Sequence, residues 1–243
     1  MKTVLLKFSG PLQSWGTNSH FNIRRTDLYP SKSGVLGFVA AAFGFRRDQD
    51  KEICALQALD FAVRVDQPGV LLHDYHTAHT YKNDFSFAKT YVTQRYYLQD
   101  AVFVVALGHE DDAWIETIHD ALLHPYFSLS MGRRSAPVPA DFVLGVVNGS
   151  VIETLHHLPW QATPWYQRRN TPRLDLYADA SLLDNGTEII RQDTIVSLSQ
   201  KSRQYKPRLE KTTSIFLPYE KIVTEHDAFQ AVGGQDVFIQ SGN

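Results

Sequence analysis

Apolar residues follow two different periodicities along the first half of the chain, and these separate predicted strands from predicted helices. Thr3–Phe8 and Ala101–Leu107 are apolar runs of strand length, and Phe61–Val65 alternates like a strand with one buried face. Residues 33–44 and 111–123 instead repeat their apolar positions every three to four residues, as amphipathic helices do. The pattern therefore predicts strands that alternate with helices.

Residues that end or cap elements refine this pattern. Ser33 is placed as the N-cap of the first helix and Gly44 as the residue that ends it. Asp50–Leu59 predicts a short second helix, and Val143–Val147 predicts another strand. The order strand, helix, strands, helix, strand predicts an α+β fold with a ferredoxin-like (RRM-like) unit.

The remainder of the chain, 146–243, predicts a β-rich carboxyl-terminal part. It alternates polar turns with short β-prone runs: Val151–Leu155, Glu188–Leu198 and Ser214–Leu217. Thr163–Pro172 is the best candidate for a mobile loop. We find no linker or repeat, and we expect one domain over 1–243.

Composition adds limits on location. The chain has 243 residues, 43% of them hydrophobic, which suffices for a sizeable core. A single cysteine, Cys54, excludes an internal disulfide. The first apolar run is too short for a signal peptide, and no stretch has the length of a membrane span. We expect a soluble cytoplasmic protein with no membrane partner.

Charge is segregated along the chain although the net charge is only −2. Residues 1–47 sum to +6, 48–123 to −8, 131–173 to +3 and 174–243 to −3. Such blocks allow a basic groove opposite an acidic back, as nucleic-acid binders have. Folding can equally mix them, and charge alone leaves both alternatives open.

Two local features near the amino terminus suit nucleic acid. Trp15, in the loop Ser9–Gly16, offers a flat ring for base stacking, and its alternative role is to plug the core. At Lys32-Ser33-Gly34, free amides of a helix start and a lysine together form a phosphate site, with Arg24 just upstream. The alternative there is a simple capped helix.

Two further features lie later in the chain. Gly132-Arg-Arg-Ser135 places two guanidinium groups in a loop, where they suit phosphate or base-edge contacts. Residues 73–97 interleave basic and aromatic side chains, as single-strand binders do, with Asn83-Asp84 as the tip of a hairpin. The alternative is an ordinary solvent-exposed segment with a few of its aromatic side chains packed against the protein.

Three histidines in the same segment raise two sharper hypotheses. In an extended chain His73 and His79 share one face and His76 points the other way, and with one cysteine a zinc site is disfavoured. A histidine with Tyr75 or Lys82 would instead support metal-independent RNA cleavage by acid–base chemistry. No spacing selects a pair. We expect no metal or cofactor, and cleavage stays open as an alternative.

Five short motifs resemble the CasD family, the subunits that bind the 5′ handle of CRISPR RNA in the type I-E Cascade complex. They occur in the family's order over residues 1 to about 145: Ser9–Gly16, Pro30–Gly37, Asp74–Thr77, Gln94–Ala101 and Gly132–Pro137. The carboxyl-terminal third resembles the family mainly in the basic run Lys201–Arg208. Residues 163–173 have no counterpart, so Arg168, Arg169 and Arg173 stay unassigned.

This resemblance implies a fold, a ligand and partners. The fold would be a RAMP domain with a protruding β-hairpin, the thumb, at about residues 76–93. The ligand would be CRISPR RNA, and the protein partners the backbone subunit CasC and the large subunit CasA, with target DNA near only indirectly. In type I-E systems a separate endoribonuclease, CasE, processes the RNA, whereas a related type I-C branch cleaves its own.

The expected function is therefore a non-catalytic, handle-binding subunit that caps the complex. The alternatives are an endoribonuclease that uses His76 or a neighbour and a scaffold that contacts only protein. The side chains expected to touch RNA are Gln13, Ser14, Trp15, Arg24, Lys32, Ser33, Tyr75, His76, Thr77, Lys89, Arg95, Gly132, Arg133, Arg134, Ser135 and Arg203.

Overall fold

The structure, a computed structural model, describes residues 1–17 and 22–218, and this part of the chain contains five α-helices and eleven β-strands. The helices are α1 (Lys32–Ala42), α2 (Asp50–Ala55), α3 (Asp112–Leu123), α4 (Val151–His157) and α5 (Pro164–Gln167). The strands are β1 (Lys2–Ser9), β2 (Leu12–Gln13), β3 (Ile23–Arg24), β4 (Asp60–Gln67), β5 (Val70–Tyr81), β6 (Phe87–Gln99), β7 (Val102–His109), β8 (Val143–Asn148), β9 (Arg173–Asp179), β10 (Thr187–Ser197) and β11 (Gln204–Phe216).

Four strands of the larger sheet have the ferredoxin-like arrangement. They are antiparallel in the order β4-β7-β1-β8, with α1 following β1 and α3 following β7. The connectivity is thus βαββαβ, as the pattern of the first half predicts. The predicted α+β fold class is confirmed.

Both faces of this sheet are covered. Phe8, Phe61 and Phe103 pack on the α1 and α3 side, whereas Leu5 and other small or aliphatic residues face α4. Since β1 and β7 are buried on both sides, they appear in the sequence as continuous apolar runs. The predicted single buried face of Phe61–Val65 is wrong, because the second core covers its other face.

Arg64 shows why that alternation misleads. Its side chain is fully buried, and its guanidinium forms two hydrogen bonds with Asp66, at 2.7 and 2.8 Å. It also donates to the carbonyl of Leu155, in the last turn of α4, and to those of Leu158 and Pro159, which follow the helix. A buried charge is tolerated where pairing and hydrogen bonds replace water. Burial raises the pKa of Asp66, against the effect of Arg64.

Caps fix where the helices begin. Ser31 rather than Ser33 caps α1, since its hydroxyl accepts from the Gly34 amide at 3.2 Å. Gly44 follows α1 with a φ of 79°, as predicted for the residue that ends it. Asp111 accepts from two amides at the start of α3.

The predicted strand Val151–Leu155 is wrong, because these residues form α4. Ser150 caps this helix by accepting from the Glu153 amide. Ser150 and Glu153 have the spacing of a capping box, which indicates a helix start. Propensity alone favours a strand here, because Val151 and Ile152 are β-branched.

The sheet continues through the carboxyl-terminal strands in the order β4-β9-β11-β10. Of the predicted carboxyl-terminal part, 219–243 lies outside the described residues. Within 163–172, the candidate mobile loop, Pro164–Gln167 forms the short helix α5.

A buried ion network attaches β11 to the start of α1. The guanidinium of Arg208 pairs with Asp179, Asp193 and Glu210 at 2.8 to 2.9 Å. The Lys32 ammonium pairs with Asp179 at 2.8 Å and donates to the Leu59 carbonyl. The Lys32 backbone amide donates to Asp193 at 3.0 Å.

Tyr29 extends this network to the loop before α1. Its hydroxyl donates to Glu210 at 2.6 Å, and its ring stacks on Tyr177. Burial and then this hydrogen bond raise the pKa of Tyr29. Arg191 pairs with Asp27 in the same loop at 3.2 Å.

The second sheet consists of β2, β3, β5 and β6, and its long hairpin β5–β6 is largely exposed from Val70 to Val92. Its tip lies at Asn83-Asp84, as predicted, where the Lys82 amide donates to the Ser86 carbonyl. The exposed part of the hairpin is longer than the predicted 76–93, because it begins earlier, at Val70, shortly after the end of β4.

Candidate nucleic-acid interface

Strand β6 is the centre of the candidate site. It pairs with β5 along one edge and with β2 and β3 along the other. Because side chains of a strand alternate between faces, Lys89, Tyr91, Arg95 and Tyr97 all lie on one face of β6. Arg24 of β3 is in register with Arg95 and shares that face.

The Gly132-Arg-Arg-Ser loop lies against this face through backbone contacts. The Ser14 amide donates to the Met131 carbonyl, and a Cβ built on Gly132 would lie 1.6 Å from the Ser14 carbonyl oxygen. With a φ of 84° in addition, only glycine fits this position. The two loops predicted to share a site are thus adjacent, and Gly132 allows it.

Arg133 joins the loop to β6. Its guanidinium lies 4.3 Å from the centre of the Tyr97 ring, and its Nη2 donates to the Arg24 carbonyl at 2.9 Å. Its Nη1 atom is buried and has no hydrogen-bond partner among the described residues. Arg134 and Ser135 are exposed beside it.

The positively charged side chains around Tyr97 affect the pKa of its hydroxyl. Burial raises its pKa, but interactions with the side chains of Arg133, Ser135 and Arg95 outweigh burial and lower the pKa below its usual value. We call the set Arg24, Lys89, Tyr91, Arg95, Tyr97, Arg133, Arg134 and Ser135 the arginine–tyrosine surface.

The hairpin residues predicted for the site divide between two faces. His76 pairs with Thr93 and shares the face of Arg95 and Lys89, and the Lys89 ammonium lies 4.7 Å from the Tyr91 ring. Tyr75 and Thr77 point to the opposite face, beside His73 and His79. The structure therefore does not bring Tyr75 and Thr77 together with Arg133.

The predicted contacts of the first loop require correction. The side chains of Gln13, Ser14 and Trp15 are buried, and Trp15 packs on Phe8 with ring centres 4.9 Å apart. Gln13 donates to two backbone carbonyls and accepts from the Trp15 indole. These buried side chains anchor the loop Ser9–Gly16 to the core, and Trp15 has no exposed ring for base stacking.

The predicted phosphate site at Lys32 and Ser33 also requires correction. Lys32 is buried, and its ammonium and its amide are both held by carboxylates of this chain. Asp193 therefore occupies the anion position that a helix start offers. Ser33 is half-buried, and its hydroxyl lies 3.4 Å from that of Ser31.

Arg203 lies apart, at the turn between β10 and β11. It is exposed, and its side chain forms a hydrogen bond with that of Tyr205. Arg208, from the same basic run, is committed to the buried network.

Tyr97 is the important residue absent from the prediction. The alternation Lys89, Tyr91, Arg95, Tyr97 at intervals of two or four was a sufficient signal, because such spacing places side chains on one face of a strand.

Residues 1–17 and 22–218 contain no group of three or more histidine, cysteine or acidic side chains arranged to hold a metal ion. No helix in these ranges is long and apolar enough to cross a membrane.

Comparison with known proteins places this geometry in context. Residues 3–209 match the family described as CRISPR-associated protein (Cas_Cas5). The CRISPR system Cascade subunit CasD of Escherichia coli (strain K12) is 34% identical over 161 residues, which cover 60% of this chain and 72% of that protein.

Two solved structures are similar to this chain in sequence and in fold. A chain of a structure described as CRISPR RNA-guided surveillance complex is 34% identical, with a TM-score of 0.73 over 89% of this chain and 91% of that one. A second, described as crystal structure of Cas protein, is 30% identical, with a TM-score of 0.59 over 90% and 96% of the two chains.

Gly132→Ala tests how the loop is held. The added Cβ meets backbone, so we expect the free energy of unfolding in urea to fall by about 3 kcal/mol or more. Gly145→Ala is the matched control, since Gly145 also has a positive φ, 123°, but open space around it. Its loss should be only about 1–2 kcal/mol. Equal losses in the two variants would contradict the close approach to Ser14.

Proposed function

The chain belongs to the Cas5 family of CRISPR-associated proteins, and from this premise we propose that it is a non-catalytic Cascade subunit that binds the 5′ handle of CRISPR RNA. The observation that carries the proposal is the contact of Arg133 with Tyr97 and Arg24, which gathers arginines and tyrosines on one face at the root of the hairpin.

The chemistry of the arginine–tyrosine surface suits a single RNA strand. Guanidinium groups bind phosphate oxygens with two parallel hydrogen bonds, and an exposed ring such as that of Tyr91 stacks on unpaired bases, whereas the buried Tyr97 ring supports the Arg133 guanidinium. Sequence-specific RNA recognition mostly targets such unpaired segments.

The hairpin suits contact with other subunits. Among the described residues, the last strand that flanks it pairs at Gln94, and beyond that residue it extends for about 20 Å as a two-stranded ribbon. Phe85 at its tip is 88% exposed with a φ of 62°, an unusual conformation for this residue. An exposed ring on an extended arm is typical of a surface that is buried on assembly. We propose contacts with the backbone subunit CasC and, at the capped end, with the large subunit CasA.

Arg133→Ala combined with Arg134→Ala tests the RNA site. Two charge-assisted contacts are lost, so we expect the affinity for repeat-derived handle RNA to fall by about a hundredfold. The slope of log affinity against log salt should flatten by about 1.4, because each phosphate contact to a single strand contributes about 0.7. Arg46→Ala with Arg47→Ala removes a second adjacent, exposed arginine pair and should leave binding unchanged. Equal affinities of the two double variants would refute the site.

The absence of catalysis is a separate prediction. Purified protein incubated with repeat RNA in EDTA should leave the RNA intact, because the surface is proposed to bind phosphates rather than to activate a 2′-hydroxyl. Denaturing gels provide the readout. Site-specific cuts that disappear in His76→Ala would instead establish a metal-independent endoribonuclease.

A further inference from the structure

A second basic and aromatic surface lies outside the arginine–tyrosine surface. It consists of Trp165, Arg168, Arg169, Arg173 and Phe216, all of them exposed, and we call it the arginine–tryptophan patch. It includes the three arginines that the family resemblance leaves unassigned.

The patch is held in place by ordered contacts. Thr163, the N-cap of α5, donates to the Gln67 side chain from its hydroxyl at 2.7 Å and from its amide at 3.1 Å. Gln167 donates to the carbonyls of Trp160 and Ala162. Gln67 ends β4 and leads into β5, so α5 is fixed at the root of the hairpin.

This position separates the two surfaces. The Gly132 loop contacts Ser14 after β2, on one edge of β6. The α5 segment contacts the residue that leads into β5, which pairs with the other edge of β6. The two basic surfaces therefore flank the root of the hairpin.

The arginines of the patch differ from those inside the fold. Arg64, Arg191 and Arg208 are each paired with carboxylates and largely buried. Within residues 1–17 and 22–218, no ion pair forms on any arginine of the patch, and all three are exposed. Their charges are available to a ligand.

The aromatic rings of the patch are also available. Trp165 is 48% exposed, with the Arg169 guanidinium 5.9 Å from its ring centre. Phe216 is 72% exposed, with Arg173 at 5.7 Å. Arg169 and Arg173 are four residues apart, at most about 14 Å along the chain. Two cation–aromatic pairs therefore lie within reach of a few consecutive nucleotides.

We propose that the arginine–tryptophan patch binds single-stranded nucleic acid at a site distinct from the handle site. Charges serve the phosphates and flat rings serve the bases, which is the combination that strands without sequence preference require. An acidic protein would satisfy the arginines but would leave two exposed rings unexplained. The proposal does not depend on handle binding.

The test uses labelled oligonucleotides of about 20 nucleotides, oligo-dT and oligo-U, whose binding is followed by fluorescence anisotropy. Arg133→Ala with Arg134→Ala is the background, so that the handle site does not contribute. In that background, Arg168→Ala, Arg169→Ala and Arg173→Ala together should lower affinity at least about tenfold and flatten the salt dependence. Trp165→Ala should lower affinity about fivefold or more and leave the salt dependence unchanged.

The matched control removes three exposed cations elsewhere, by Arg46→Ala, Arg47→Ala and Lys51→Ala, and should retain affinity. The affinities for oligo-dT and oligo-U are then compared to determine whether the patch prefers DNA or RNA. Equal losses in the two triple variants, or no binding of either probe, would overturn the proposal. The proposal would also be overturned if the Arg168, Arg169 and Arg173 triple variant bound the oligonucleotides unchanged but no longer assembled with other Cascade subunits. Failure of handle binding alone would leave the result intact.

Discussion

The pairing of Asp193 with the start of α1 and with Arg208 is the interaction on which the rest of the structure depends. One carboxylate accepts from the Lys32 amide and from Arg208, and so ties the β10–β11 pair to the ferredoxin-like core. Burial alone would lower the pKa of Arg208, but its carboxylate partners raise it. Removing one partner of such a buried group typically costs about 3–5 kcal/mol, since the remaining charge stays buried.

This network also closes one candidate anion site. Asp193 accepts from the Lys32 amide and Ser31 from the Gly34 amide, so the carboxylate of Asp193 already occupies the most obvious anion site in the sequence. The basic residues that we propose as the handle site lie elsewhere, on β3, on β6 and in the loop after Gly132. The net charge of −2 hides this division between internal and external cations.

The sequence is most informative where one residue's environment is local. Apolar runs, the end of the first helix at Gly44 and the hairpin tip at Asn83-Asp84 depend on near neighbours, and the structure confirms them. The role of Lys32 depends on Asp179 and Asp193, which lie 147 and 161 positions away. No local pattern predicts those partners. Trp15 suits both a base and the core, and only its packing on Phe8 decides.

The central claim is that the arginine–tyrosine surface, and not the first loop or the start of α1, holds the RNA. Photo-crosslinking with 4-thiouridine placed along handle RNA, followed by mass spectrometry of the crosslinked peptides, measures this directly. The account predicts crosslinks within residues 87–97 and 132–135. Crosslinks to Trp15 or to residues 31–37, with none on the predicted peptides, would contradict it.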